Sequence, residues 1–151
     1  MAGTLERFLS AQDEGDTYAR ALAELRTGSK RSHWMWFVFP QLAGLGQSAM
    51  SRTYAITSLT EAQAYLADPV LGARLRESAA ALLEHDDADA ERILGPVDAL
   101  KLRSSMTLFA RADPTEVLFA RVLERYFDGE DDPATNAALS LGRGQSPDRG
   151  A

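Results

Sequence analysis

Apolar residues recur at three- and four-residue spacing along most of the chain, and polar residues between them divide the pattern into helices. Leu5, Phe8 and Leu9 follow Thr4 and predict a short amphipathic helix ending near Gln12. Tyr18, Leu22 and Leu25 keep the same period behind Asp16 or Thr17 as cap, with Gly28 as the stop. Ser58, followed three residues later by Glu61, forms a capping box that opens a helix through Tyr65 and Leu66. Asp68-Pro69, Asp113-Pro114 and Asp132-Pro133 each predict a helix start. In such a pair the carboxylate accepts an orphan amide, and proline takes the first turn, where it has no bond to lose. The helix after Pro69 offers Leu71, Leu75, Ala79, Leu82 and Leu83 to a core. The helix after Pro114 offers Val117, Leu118, Val122, Leu123 and Tyr126, and Asp128-Gly129 ends it. Between them Asp98 is placed as the cap of a helix through Leu102, Met106 and Phe109.

From His33 to Phe39 the chain is aromatic and apolar throughout, so period alone does not separate helix from strand. Ser32 as a cap, the helical neighbours and Pro40 as a stop favour a short buried helix. Gln41 to Ser51, with Gly44 and Gly46, reads as a loop. The expectation is an all-α, single-domain compact bundle of roughly six to eight helices. The domain is expected over residues 1–141, with residues 142–151, rich in Gly, Pro and charge, as a disordered tail.

Composition narrows the function classes. The 151 residues, 45% of them hydrophobic, suffice for one core. With no cysteine, disulfides, thiolate metal sites and cysteine nucleophiles are out of play, and the chain suits a reducing compartment. The start Met-Ala-Gly-Thr has no leader-like pattern, and the longest apolar run, Trp34 to Pro40, falls far short of the ~20 residues a bilayer span needs. A cytoplasmic protein without a membrane segment is expected. The net charge of −6 repels a phosphate backbone and argues against nucleic-acid binding. No cofactor and no metal are expected: Glu84-His85-Asp86-Asp87-Ala88-Asp89 reads as interhelical caps, and Asp128-Gly129-Glu130-Asp131-Asp132 lacks the alternation of a calcium loop. Gly44-Leu45-Gly46 does not complete a dinucleotide fingerprint.

Two segments carry candidate chemistry. Of the 16 basic residues only Lys30 and Lys101 are lysine, the rest arginine, which marks these two positions as places where a compact ammonium is wanted. Lys30 opens the segment Lys30-Arg31-Ser32-His33-Trp34-Met35-Trp36-Phe37-Val38-Phe39-Pro40-Gln41, which holds both tryptophans. On a helix, Lys30, His33 and Phe37 would share a face. Lysine and imidazole beside Trp34 and Trp36 suit a flat anionic ligand, with rings to stack on and cations for phosphate or carboxylate. The same residues also suit a buried aromatic helix whose His33 bonds a backbone carbonyl, and both readings stand at this point. In the second segment, Lys101, Ser104 and Ser105 share a stripe opposite Leu102, Met106 and Phe109. An ammonium with two hydroxyls can hold phosphate oxygens; alternatively, the serines simply let helices pack closely. The order of residues is the reverse of the Ser-x-x-Lys of β-lactam enzymes.

Lys30, His33-Trp34-Met35-Trp36-Phe37, Phe39-Pro40-Gln41-Leu42, Gly44-Leu45-Gly46, Tyr54, Tyr65-Leu66, Lys101-Leu102 and Ser104-Ser105-Met106-Thr107-Leu108-Phe109 together resemble the domain-of-unknown-function family 1810. The resemblance runs from about Leu5 to Leu141 and implies a helical bacterial domain without an assigned activity. The calpastatin label sometimes given to such proteins does not transfer, because calpastatins are disordered and this chain has capped helices and a core. A second likeness is to the helical NADAR domains that process ADP-ribose derivatives; it rests on Phe8, Ala11, Gln12, Lys101, Met106, Phe109 and a later helix carrying Leu118 and Leu123, and the Trp-Gly and Gly-Lys-Asn features of that group are missing. The combined expectation is a pocket for a small phosphate-bearing, nucleotide-derived ligand such as an ADP-ribose derivative, with hydrolysis or glycosidic cleavage as its catalytic form. In it Lys30 and Lys101 bind phosphate, Ser104 and Ser105 donate hydrogen bonds, Trp34 or Trp36 stacks, Gln12 and Gln41 orient substrate, and His33 is the general acid or base. The alternative expectation is a non-catalytic interaction or regulatory domain. Oligomeric state is left open by the sequence.

Overall fold

A computed structural model describes the backbone of residues 2–144 and side chains within 5–141. Helices α1 (Ala2–Asp13) and α2 (Thr17–Thr27) are joined by a turn in which Gly15 and Asp16 both adopt left-handed backbone. Three helices are short, α3 (Met35–Val38), α4 (Ala49–Thr53) and α7 (Ala90–Leu94). The longer ones are α5 (Leu59–Ala67), α6 (Leu71–Leu82), α8 (Pro96–Ala112), α9 (Val117–Phe127) and α10 (Pro133–Gly144). Counting α1 and α2, seven helices among the described residues have nine residues or more, and no strand is present among them. The architecture is all-α, as the hydrophobic period requires. Helix α10 runs to Gly144; the rest of the expected tail, residues 145–151, lies outside the described residues. Among the described residues no helix is long and apolar enough to cross a membrane.

Helix α8 is the axis of the bundle, packed by α5, α7, α9 and α10. Leu102, Met106, Leu108 and Phe109 are fully buried on it, and Ser104, Ser105 and Thr107 are buried with them. A helix surrounded on most sides loses the polar stripe that a surface helix keeps. Phe8, Trp34, Phe39, Tyr65, Phe109 and Phe119 are the largest buried side chains. Edge-on and tilted ring contacts join them: Phe8 with Tyr65 at 5.1 Å, Tyr65 with Phe109 at 5.3 Å and Phe109 with Phe119 at 6.0 Å. Gly72 admits the close approach of α6 to α5, since a Cβ there would lie 2.2 Å from the Leu66 carbonyl oxygen.

Most predicted helix signals act as expected. Ser58 Oγ accepts from Glu61 N (3.1 Å), and Glu61 reaches back to Thr57 N (2.8 Å), closing the box one residue early. Asp68 accepts from Val70 N and Leu71 N, and Asp132 accepts from Thr135 N. Asp113 differs. Its carboxylate closes a local turn on Thr115, and α9 begins only at Val117. The excursion Ala43 to Ala55, expected as a loop through Ser51, carries α4 from Ala49 because Ser48 caps it through Ser51 N. It leaves and re-enters the fold through a narrow neck, where Ile56 N donates to Gln41 O and Ala43 N to Ile56 O, both 2.8 Å. Arg7 binds the returning limb at Thr53 O (2.7 Å) and Ala55 O (2.6 Å).

Candidate functional site

The segment after α2 is shaped by one carboxylate. Gly28 ends α2 in left-handed backbone, and Glu24, in the last turn of that helix, turns towards the chain that follows. Its carboxylate accepts from Arg31 N (2.8 Å), Ser32 N (3.1 Å), Ser32 Oγ (2.6 Å) and the Trp34 indole (2.8 Å). Burial would raise the carboxyl group's pKa, but these four donors outweigh it and hold it down to about 2. The consequence corrects a sequence expectation. The amides of Arg31 and Ser32 are spent on Glu24, so the helix starts only at Met35 and Ser32 does not cap it. Lys30 and His33 therefore stand on a loop, not on one helical face with Phe37. Lys30 N donates to Ile93 O (2.8 Å), which moors this loop to α7.

The loop delivers Lys30 to α8. Lys30 Nζ lies 3.0 Å from Asp98 Oδ2, with only 10% of the lysine side chain and 18% of the aspartate exposed. Lys101, one turn along α8, places its Nζ 3.6 Å from the other oxygen of Asp98. Each ammonium also faces an indole: Lys30 is 5.1 Å from the Trp34 ring and Lys101 is 5.4 Å from the Trp36 ring. Both lysines and both tryptophans of the chain thus gather around one carboxylate. Two ammoniums against one carboxylate leave a surplus of one positive charge in a protein of net charge −6. Trp34 is fully buried, whereas Trp36 is half-buried and His33 exposed, with ring centroids 6.4 Å apart. Asp98 corrects a second expectation: α8 begins at Pro96, so Asp98 sits inside the first turn and serves the lysines instead of capping.

The other sequence candidates lie elsewhere. Gln12 is buried; its amide nitrogen donates to Phe37 O (2.7 Å) and the Tyr65 hydroxyl (3.2 Å), and its oxygen accepts from Arg74 (3.1 Å). That amide is committed to holding the end of α3, and burial pushes the neighbouring Tyr65 hydroxyl's pKa up. Gln41 is half-buried at the loop neck, where its carbonyl takes part in the pairing. Ser104 donates to Asp132 Oδ2 (2.8 Å) and thereby ties α8 to the start of α10. Ser105 is buried, and its hydroxyl has no hydrogen-bond partner. By helical spacing it shares a stripe with Lys101 and Asp98. Among the described residues no three His, Asp or Glu side chains gather as metal ligands.

Asp98 and Glu24 are the site residues that sequence reading missed. Asp98 precedes Lys101 by three positions on a helix, a pairing the spacing could have flagged. Nothing local marks Glu24, whose partners lie seven to ten residues onward.

Fold and site together define an all-α domain with a lysine–tryptophan cluster where one loop meets the central helix. The chain belongs to the DUF1810 family, described as proteins of unknown function, whose model matches residues 2–139. Its structure is similar to that of the conserved hypothetical protein Rv1873 from Mycobacterium tuberculosis, with a TM-score of 0.87, 48% sequence identity, and coverage of 90% of this chain and 96% of that one. No curated protein matches the chain. The likeness to NADAR domains is carried by neither match.

Proposed function

We propose that the Lys30–Asp98–Lys101 cluster, with His33 and Trp36 at its rim, binds a small phosphate-bearing, nucleotide-derived ligand such as an ADP-ribose derivative. The carrying observation is the convergence of both lysines on one carboxylate, each beside a tryptophan. Lys101 is the cation that meets the ligand: it is the more exposed of the two and the farther from Asp98. Lys30 keeps Asp98 in place. An ammonium suits this role, because it can turn its three donors from a carboxylate to a phosphate without a fixed fork geometry. In the catalytic form of the reading, His33 at the rim exchanges the proton during cleavage of the ligand.

A thermal-shift screen against ADP-ribose, NAD, nucleotides and sugar phosphates tests the binding. At 100 times its dissociation constant a ligand stabilises the fold by about 2.7 kcal/mol. The expected hit weakens in Lys101→Met, and the catalytic form further requires turnover that His33→Ala abolishes. A flat screen removes the reading. The alternative, a docking domain, draws on the exposed Val97 and Leu100, three residues apart on α8 and 65% and 64% exposed. A pull-down partner lost in Val97→Asp would favour it.

A further inference from the structure

The half-buried Trp36 has an exposed imidazole for a neighbour. The His33 and Trp36 rings are 6.4 Å apart between centroids and tilted by only 31°. A flat ring in contact with both faces needs about 7 Å between them, two successive carbon contacts of about 3.5 Å each. The 6.4 Å is a centroid separation between two tilted rings that form one contact pair, so a ligand ring stacks between them only once the imidazole has turned aside. His33 is exposed and stands on the loop before α3, where its side chain can turn, whereas Trp36 is set on α3 itself. Lys101 Nζ is 5.4 Å from the same Trp36 ring, so one ligand can touch the indole face and the ammonium together.

We infer that His33 and Trp36 form a clamp for a planar heteroaromatic ring, with the ligand's phosphate on Lys101. The ligand class is then a nucleoside monophosphate or a larger molecule containing one, and His33 holds the ring as a stacking partner. This inference rests on the binding reading above and assigns the part of the ligand that the lysines do not recognise. The Trp36 side of the clamp is held by its neighbours. Glu24 fixes the entry of the segment through four hydrogen bonds, and Gln12 holds the Phe37 carbonyl just past Trp36. A recognition surface held in this way loses little freedom on binding.

The two tryptophans make the test selective, because Trp34 is fully buried and only Trp36 can meet a ligand ring. The probes are AMP, which carries ring and phosphate, and ribose 5-phosphate, which lacks the ring, each titrated by calorimetry and tryptophan fluorescence. The expected result is that AMP quenches fluorescence and binds about tenfold or more tightly than ribose 5-phosphate. His33→Ala, at an exposed position, and Trp36→Leu should each reduce that preference by several-fold, while Lys101→Met weakens both probes alike. Equal binding of the two probes overturns the clamp and leaves the phosphate reading standing. A preference for AMP that survives both ring substitutions also overturns the clamp, since the base is then read elsewhere. Binding of neither probe overturns clamp and phosphate reading together.

Discussion

The indole of Trp34 donates a 2.8 Å hydrogen bond to Glu24, ten positions earlier and at the end of a different helix. That bond, with three others to the same carboxylate, joins the end of α2 to the start of α3 and sets the path of the loop carrying Lys30 and His33.

Replacing Glu24 by Ala should cost about 2–3 kcal/mol, because charge-assisted hydrogen bonds are lost and the Trp34 N–H is left with no acceptor. Urea denaturation read by fluorescence measures it. The pH dependence has a definite sign. In the fold the carboxyl titrates at about 2, against 4.5 when unperturbed. Its contribution is therefore complete above pH 4.5 and is lost as pH falls towards about 2. The stability gap between the natural chain and Glu24→Ala should close across that window. A gap that stays constant there would show that the charge on Glu24 is not what holds the loop.

Lys30 and Lys101 share Asp98 unequally. Lys30 is nearer and more buried, so a double-mutant cycle of Lys30→Met with Asp98→Asn should give a coupling of about 1 kcal/mol. The Lys101 cycle should give about half or less, the distance being longer. Asp98→Asn should also strengthen phosphate binding while weakening the fold, because the internal anion that competes for Lys101 is gone. If the two cycles prove equal, the division of labour between the lysines is wrong.

Ser105→Ala should raise stability by about 1 kcal/mol, since a buried hydroxyl without a partner carries an unreturned desolvation cost. Thermal denaturation decides the sign. A loss of stability would mean that the hydroxyl is satisfied in solution.

Asp132 gathers Ser104 Oγ, Thr135 Oγ1 and Thr135 N, and its own amide donates to Thr107 Oγ1 (2.9 Å). Burial would raise its pKa, but the bonds from Thr135 and Ser104 prevail and hold the carboxyl below its ordinary range. Asp132→Ala should cost about 1–2 kcal/mol as a lost cap. Hydrogen exchange should show α10 opening first, with α2 and α6 still protected.

The helices were legible because their signals are local. Gly28, Ser58, Asp68, Asp132 and Asp128 all act within a few residues, so spacing alone exposes them. The loop from Lys30 to Trp34 was not legible as such, because a carboxylate on the preceding helix takes the amides that a new helix would have used. Residue chemistry alone singles out Lys30 and Lys101, but it does not show that Asp98, which sequence assigns to a cap, is the carboxylate between them. A first-turn aspartate suits the helix dipole whether or not it binds anything else. Ser104 and Gln12 looked like ligand groups because the sequence does not show that Asp132 and the Phe37 carbonyl have already claimed them.

The narrow neck at Leu42 and Ile56 has a bearing on how the molecule can be cut. Both strands of chain at the neck are hydrogen-bonded to each other, and Arg7 grips the returning limb from α1. A peptide bond severed near Gly44, where the backbone is exposed, would leave two pieces each still fastened to the body. The ion pairs and ring contacts of Lys30, Asp98 and Lys101 involve no residue of that excursion, and Tyr54, which packs on Phe37, lies on the limb that Arg7 holds. The nicked protein should therefore keep its shape, and Gly44 is the natural place to open the chain and give it new ends.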